Sequence, residues 1–453
     1  MKRYARVTCH SALVEPGALF AAIPGNSRNG VDFIPDALAR GAQALLVPEG
    51  AELPPLPPGI EVIASRDIRT DYALLAAESY GNPARKMRMF GVTGTNGKTT
   101  TAWLAAELLK ASGETVGLLT TVENSWPGHR EESERTTGSA EQLHGAFAAM
   151  LAAGCTAAVM EVSSHAIDQR RVAGIPFEAI GFTNLTQDHL DYHGSMAAYF
   201  EAKRRLFLEQ PSARAAVNVD DPFGRILAGE LSLAEPYSLA DAAPLELTAD
   251  GVDFCLSGAT FHSPLPGRYN LSNLLCALTL THPALAPDRL REVLSTLRPR
   301  WGRLERIDAH TPAALFVDYA HTPDALEKVL AALRELRPKR LICLFGCGGN
   351  RDKTKRPRMA EAVAKGADEA IVTSDNPRRE PPDSIIADIL PGFPPDFPLH
   401  IQPDRRQAIR LALRLGQRGD IILLAGKGHE TYQEIDGVKH PFDDRALART
   451  LLP

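Results

Sequence analysis

The stretch GVTGTNGKTTT at 91–101 constrains this chain more than any other. The apolar segment KMRMF comes before it and the helix-like AWLAAELLKASG after it. A strand feeding a glycine turn that opens a helix converges successive backbone N–H groups, and the helix N-terminus adds partial positive charge. Such a turn cradles phosphate. Lys98 would reach the β- and γ-phosphates of a nucleotide, and the Thr99 hydroxyl would ligate Mg²⁺. The spacing departs from the common pattern, which has a glycine five places before Gly97 where this chain has Val92. A binding turn can still be drawn from Gly94 to Thr100. On its own the stretch also fits a tight strand–helix turn with an incidental lysine.

The flanking sequence gives this turn an α/β setting. Residues 1–86 hold short strand-like pieces (ALFAAI, AQALLVP, IEVIAS) and the proline-rich AELPPLPPG, as a small α/β domain would. From 87 to 298, strand-like and helix-like segments alternate: MRMFGVTG, a helix from Lys98 to about Ser112, TVGLL, SAEQLHGAFAAMLAAG, AAVMEVSS, AIGFTNL and AAVNVDD. Gly113 stands where a helix stop belongs. A break in LRPRWGRLERI opens a third domain, 299–453. Alternation resumes there with ALFVDYA, DALEKVLAALREL, RLICLFG, a helix at 357–366, EAIVTS, a helix at 404–415 and DIILLAGKG. The length of 453 residues suits three domains. The expected fold class is α/β: a central P-loop-type ATPase domain with a mostly parallel sheet, flanked by a small domain and a C-terminal Rossmann-like one.

Composition narrows the function classes. With 44% hydrophobic and 23% charged residues and no long apolar run, membrane insertion is not expected. MKRYARVTCHSALVEPG starts basic but has no apolar core behind it, so a secretion signal is not expected. The six cysteines are scattered without zinc-type pairs, which suits reduced cytoplasmic thiols. Net charge is −5 and no basic block suggests a nucleic-acid face, so a polyanionic ligand must be met by local cations.

Gly94, Thr95, Asn96, Gly97, Lys98, Thr99 and Thr100 together resemble the ATP loop of the Mur ligase family, which assembles the peptide of the bacterial cell wall. Folylpolyglutamate synthase is a related enzyme with a similar loop. Further motifs follow in the order of that family, and the resemblance covers nearly the whole chain. In MEVSSHAIDQRRV at 160–172 it implies Glu161 as a magnesium ligand, with Ser163, Gln169 and Arg171 on the peptide-bearing substrate. FTNLTQDHLDYHG at 182–194 brings His189 as a second metal ligand, among Asp188, Asp191 and His193. In YFEAKRRLF at 199–207, Lys203 falls where these ligases carry a lysine converted by CO₂ to a carbamate, a carboxylate-like metal ligand. WGRLERI and VDYAHTPDALEKVL imply Arg303 on phosphate, with His321 and Asp324 near the nucleotide. Each has a plainer alternative. A strand-end glutamate commonly faces water, a helical lysine is commonly solvated, and Arg303 could be a surface charge.

Within the family, the chain resembles the type that adds the third residue. The segment 15–49 looks like the UDP-binding domain of that type, and ERTTGSA at 134–140 implies Thr136 and Thr137 as substrate contacts. FGCGGNRDKTKRP, SDNPRRE and AGKGHETYQ resemble the diaminopimelate-adding motifs. They imply Arg351, Asp375, Asn376, Pro377, Arg378, Gly426 and Glu430 around the amino acid. meso-Diaminopimelate differs from lysine by one carboxylate at its far end, and Arg378 supplies a cation in fork geometry for it. A charge-assisted hydrogen bond of roughly 1.5–3 kcal/mol corresponds to about 10- to 150-fold in binding. The alternative for Arg378 is a turn arginine facing water, which is the expected state of Arg379.

One segment departs from the pattern. The family usually has Asp-Ser-Arg near its start, whereas this chain has Cys9-His10-Ser11-Ala12. Ser11 is kept as a substrate contact, and Arg28 and Asn29 are candidates for the missing groups. The implied activity is ATP- and Mg²⁺-dependent addition of meso-diaminopimelate to UDP-MurNAc-L-Ala-D-Glu through an acyl phosphate, by a cytoplasmic monomer. Domain closure would bring the amino-acid pocket to the ATP site. Alternatives are a lysine-adding or folate-type ligase on the same fold, and a nucleotide-binding scaffold that has lost ligation.

Overall fold

In the computed structural model, residues 4–25, 28–133, 135–298 and 302–451 are described. Glu134 and Trp301, in two of the motifs above, and the first residues of the segment assigned from 299 lie outside them. The chain forms two compact units: 1–239 with 272–286, and 240–271 with 287–453.

The first unit contains two sheets. The smaller is fully parallel, with strands Val7–Thr8, Ala18–Ala21, Ala42–Pro48 and Glu61–Ser65 in that order. Alternate residues face opposite cores, Leu19 and Leu46 with Tyr72 on one side, Phe20 and Leu45 with Ile34 on the other. That is why these strands read as continuous apolar runs. The larger sheet has eight strands in the order Ala234–Tyr237, Arg214–Asn218, Phe177–Phe182, Arg88–Thr93, Ala157–Glu161, Val116–Leu119, Glu123–Trp126, His129–Glu132. The first six run parallel and the last two add antiparallel. Arg88–Thr93 therefore lies between Phe177–Phe182 and Ala157–Glu161, and the three strand ends open on one edge of the sheet. Ligands of open α/β sheets bind at such carboxyl ends.

The second unit is built on a six-stranded sheet in the order Glu305–Ile307, Ala314–Asp318, Ile421–Ala425, Leu341–Phe345, Glu369–Val372, Leu399–Ile401. The first pair is antiparallel and the others parallel. Helices bury both faces: Leu330 and Met359 belong to one core, Ile409 and Leu413 to the other. Three adjacent strands release the loops after Phe345, Val372 and Ala425 on the same edge. A three-stranded antiparallel sheet (Leu245–Thr248, Gly251–Leu256, Ala259–Ser263) and the hairpin Tyr432–Ile435/Val438–Pro441 complete this unit.

The alternation expected from the sequence is present throughout, and the sheets are mostly parallel. The loop helix runs Lys98–Ala111, and the helices expected at 357–366 and 404–415 run Lys355–Gly366 and Arg405–Leu415. No helix among the described residues is long and apolar enough to cross a membrane.

Candidate active site

The glycine turn closes tightly on its neighbours. Gly94 adopts φ 146° and Gly97 φ 86°. A Cβ on Gly94 would lie 1.9 Å from Thr183 Oγ1, and one on Gly97 2.3 Å from Asn273 Oδ1, so both positions exclude a side chain. The second strand end fixes the loop from below. Thr95 N–H donates to Asn184 O at 2.8 Å, Asn96 N–H to Asn184 Oδ1 at 3.0 Å, and the Thr183 hydroxyl to Asn96 O at 2.6 Å. Thr100 lies in the first helical turn. Val92 is fully buried in the strand, so its side chain belongs to the sheet and not to the turn.

Two ammonium groups meet one carbonyl here. Lys98 Nζ donates to Gly94 O at 3.0 Å and Thr95 O at 2.8 Å, and Lys203 Nζ donates to the same Gly94 O at 2.9 Å. Lys203 comes from the helix Met196–Leu208 and is only 1% exposed, above the Tyr199 ring at 4.6 Å. Burial first, and then the Lys98 charge, pushes its ammonium well below the ordinary lysine range. A solvated helical lysine is therefore ruled out at this position. Burial likewise pushes the Tyr199 phenol up to about 12, and its oxygen lies 3.3 Å from Thr95 Oγ1.

Glu161 ends the neighbouring strand, and it too is buried. Its Oε1 accepts from the Thr99 hydroxyl and from Thr121 N–H, both at 2.8 Å, and its Oε2 accepts from the Thr121 hydroxyl at 3.0 Å. The Thr121 oxygen in turn accepts from the Thr136 hydroxyl at 3.1 Å. Thr137 Oγ1 donates to Glu161 O and accepts from Ser163 N–H, both at 3.0 Å. Arg171 Nη1 donates to Thr137 O at 2.9 Å and Nη2 to Gln169 Oε1 at 2.6 Å. Ser163 Oγ caps the short helix Ser164–Asp168. Thr136, Thr137, Ser163, Gln169 and Arg171 thus form one connected network with Glu161. His189 stands apart from that network, 45% exposed and 3.5 Å from Asp188. Its ring lies 4.8 Å from that of His165 and 6.2 Å from that of Tyr199, so it shares Tyr199 with Lys203.

In the second unit, the loops after Val372 and Ala425 lock together. Lys427, fully buried, donates to Asn376 Oδ1 at 3.1 Å and Glu430 Oε2 at 3.0 Å, and lies 3.7 Å from Asp375. Asn376 Nδ2 also donates to Glu430 at 2.9 Å. Asp375 Oδ1 is buried without a hydrogen-bond partner among the described residues, and a Cβ on Gly426 would lie 3.1 Å from Asp375 Oδ2. Arg378, after Pro377, has left-handed backbone (φ 53°) and a half-buried side chain. Its Nε donates to Glu434 Oε2 at 3.2 Å and its Nη1 to Gly349 O at 2.8 Å. A Cβ on Gly348 would lie 2.9 Å from Arg378 Nη1 and 3.9 Å from Arg351 Cγ, so both arginines flank Gly348. Arg379 is exposed, as expected.

The remaining candidates fall into two groups. Arg303 stacks on Tyr319 at 5.0 Å, and Tyr319 packs on His321 at 4.6 Å, so these three share one surface. Burial holds His321 below the ordinary histidine range. Asp324 is exposed and paired with Lys328 at 2.6 Å. Ser11 opens the short turn Ser11–Leu13, where its hydroxyl bond helps hold the Asp36 carboxyl below the usual carboxylate range. Arg28 is exposed, and Asn29 caps the turn Gly30–Phe33 through Val31 N–H at 3.3 Å.

Known families match nearly end to end. The Mur ligase family catalytic domain matches residues 3–83, the Mur ligase middle domain 92–281, and the Mur ligase glutamate ligase domain 302–428. The chain belongs to the Mur ligase family. Among relatives, this Mur ligase is 46% identical to the UDP-N-acetylmuramoyl-L-alanyl-D-glutamate--2,6-diaminopimelate ligase of Synechococcus sp. (strain WH7803), covering 98% of this chain and 94% of the relative. It is 45% identical to the protein of the same name from Xanthomonas campestris pv. campestris (strain 8004), covering 98% and 93%. A solved structure of a diaminopimelate ligase of that name superposes with TM-score 0.72 at 35% identity, over 98% of this chain and 93% of the other. The MurF ligase of Thermotoga maritima in complex with ADP shares the fold alone, at 19% identity and TM-score 0.61, over 93% and 94%.

The donors of this ligase suit a hard divalent cation in one place. The Thr99 hydroxyl and Glu161 carboxylate are hard oxygens at the mouth of the phosphate turn. Among the described residues no three His, Cys, Asp or Glu side chains converge as a metal site. A second cation beside Lys203 needs its amine changed to an anion, which the lowered proton affinity favours. Thr121, Lys427 and Glu434 were missed by sequence reasoning. Thr121 and Glu434 carry no motif signal. Lys427 sits inside AGKGHETYQ, three residues before Glu430, but its burial against Asp375 and Asn376 comes from another loop.

Proposed function

We propose that this chain is an ATP-dependent amide ligase that joins meso-diaminopimelate to UDP-MurNAc-L-Ala-D-Glu in peptidoglycan precursor synthesis. Family membership and relatives of that name over nearly the full length support the activity. ATP as the energy source is supported by the phosphate turn and by the ADP complex of a fold neighbour. The observation that carries the choice of amino acid is the pairing of Arg351 and Arg378 about Gly348, beside a separate acidic group of Asp375 and Glu430. Two fork cations at one end and two carboxylates at the other match a ligand carrying carboxylates and ammonium groups.

Amide formation from a free carboxylate fails because oxide is too poor a leaving group. In the proposed mechanism the side-chain carboxylate of D-glutamate attacks the γ-phosphorus of ATP, ADP departs, and an acyl phosphate forms. Two anions must approach, so the excess positive charge at the turn is the useful feature. Lys98 exchanges its carbonyl partners for the β- and γ-phosphate oxygens. Neutral Lys203 adds CO₂ through its lone pair and loses a proton, giving a carbamate. Thr99 and Glu161 would hold one Mg²⁺, and carbamylated Lys203 with His189 a second, and the cations would neutralise charge on the phosphates. Thr136, Thr137, Ser163, Gln169 and Arg171 orient the peptide-bearing substrate. Ser11 would contact the nucleotide sugar, and Arg303, His321 and Asp324 the ATP. Glu430, Asp375 and the Gly426 backbone bind the ammonium end of diaminopimelate, whose free amine attacks the acyl carbon and expels phosphate.

A substrate panel read by mass spectrometry tests this. Phosphate release from ATP should need both the nucleotide peptide and diaminopimelate, and the product mass should show the amide. Equal turnover with lysine, or with a folate and glutamate, would refute the assigned substrate. Tight ATP binding with no amide product would favour a scaffold.

A further inference from the structure

We infer that Glu434 is a positioning residue for the amino-acid site: it selects which edge of the Arg378 guanidinium is offered to the distal carboxylate of the nucleophile. The inference rests on the reading of Arg378 as a diaminopimelate ligand. A guanidinium carries five N–H donors and offers a carboxylate two forked edges, one from Nε with Nη2 and one from Nη1 with Nη2. Glu434 Oε2 takes Nε at 3.2 Å, which closes the side edge. Gly349 O takes one hydrogen of Nη1 at 2.8 Å. Nη2 has no hydrogen-bond partner among the described residues, and with Nε taken by Glu434 the edge left for a carboxylate that reaches Nη2 is the end edge. A substrate carboxylate therefore meets Arg378 end-on.

The support is built into the backbone as well. Arg378 N–H donates to Glu434 O at 3.0 Å, and Asp436 N–H to Arg378 O at 2.6 Å. Glu434 N–H donates to Asn376 Oδ1 at 2.9 Å, and Gln433 Nε2 to Asp375 O at 2.7 Å. The hairpin is thus tied to the whole Asp375–Arg378 segment. Only one of these ties, the Glu434 carboxylate, acts on the guanidinium itself. Removing that carboxylate leaves the backbone ties in place, leaves the guanidinium held through Nη1 alone by Gly349 O, and opens the side edge at Nε. Orientation is then lost at the one group that distinguishes diaminopimelate from lysine.

Steady-state kinetics on E434A and E434Q, with each substrate varied in turn, test the assignment. E434A is expected to raise the KM for diaminopimelate roughly tenfold while kcat stays within about twofold. The KM values for ATP and the nucleotide peptide should not move. Preference for diaminopimelate over lysine in kcat/KM should fall by about the same factor. E434Q should recover most of the loss, because its amide oxygen still accepts from Nε. An unchanged or lower KM for diaminopimelate in E434A would overturn the inference, by making Glu434 a bystander or a competitor of the substrate. So would a parallel rise in all three KM values with a lower Tm. R378A separates the two levels. If wild type ligates diaminopimelate and R378A does not, a silent E434A sinks only the role of Glu434; if R378A is also silent, the reading of Arg378 falls first.

Discussion

Replacing His144 with leucine should remove an acid sensitivity that the native chain carries. His144 lies in the helix Ala140–Ala152, is 1% exposed, and has no hydrogen-bond partner for either ring nitrogen among the described residues. Its ring meets Phe147 edge-on at 5.7 Å. Burial pushes its pKa from 6.5 down to about 4. The unfolded chain therefore binds the extra proton between those values, so stability rises with pH through this window and is lost as pH falls through it. A gap of about 2.5 units is worth about 3.4 kcal/mol in full, and about 2 kcal/mol of it is lost between about pH 7.5 and pH 5. Leucine has similar bulk and no proton to take up. Urea unfolding of the first unit at several pH values, for wild type and His144→Leu, should show the variant's advantage growing by about 2 kcal/mol on acidification. A pH-independent difference between the two proteins would refute the reasoning, as would an imidazole that titrates near 6.5 by NMR.

Three further outcomes follow from the phosphate turn. Gly94→Ala drives a Cβ into Thr183 Oγ1, so nucleotide affinity should fall more than about tenfold in calorimetry, with a stability loss of about 1–3 kcal/mol. Lys203→Met should lower kcat by about 10²-fold or more while ATP still binds, and stripping CO₂ from wild type should lower its rate reversibly. Thr121→Val keeps the shape but removes a hydroxyl from Glu161 Oε2, so kcat should fall roughly tenfold with little change in Tm.

Much of the fold was legible because buried parallel strands have a plain signature. MRMFGVT, AAVME and LICLF are apolar through their interiors, with Arg88 and Glu161 only near strand ends, since helices cover both faces of their sheets. ENSW and HREE were missed because they are short polar strands at the end of the sheet, HREE forming its edge, and YQEI and VKHP because they form a surface hairpin with no apolar face. The candidate site divides along the same line. Glu161, Lys203 and Arg378 were placed by motif alone, and in composition each looked like an ordinary surface charge. Their burial depends on contacts with residues far along the chain, such as Lys203 with Gly94, and no local pattern records such contacts. Asp324 shows the converse: the motif includes it, and it is exposed beside Lys328 with no long-range hydrogen bond or ion pair among the described residues to mark it.

The left-handed backbone at Arg378 has an evolutionary consequence. An L-residue in that conformation costs about 1–2 kcal/mol, whereas glycine sits there without strain. A single replacement by glycine would thus relax the peptide and remove the fork proposed to recognise the distal carboxylate in one step. On the proposed role of Arg378, discrimination between two amino acids is held against the backbone preference of the very residue that provides it.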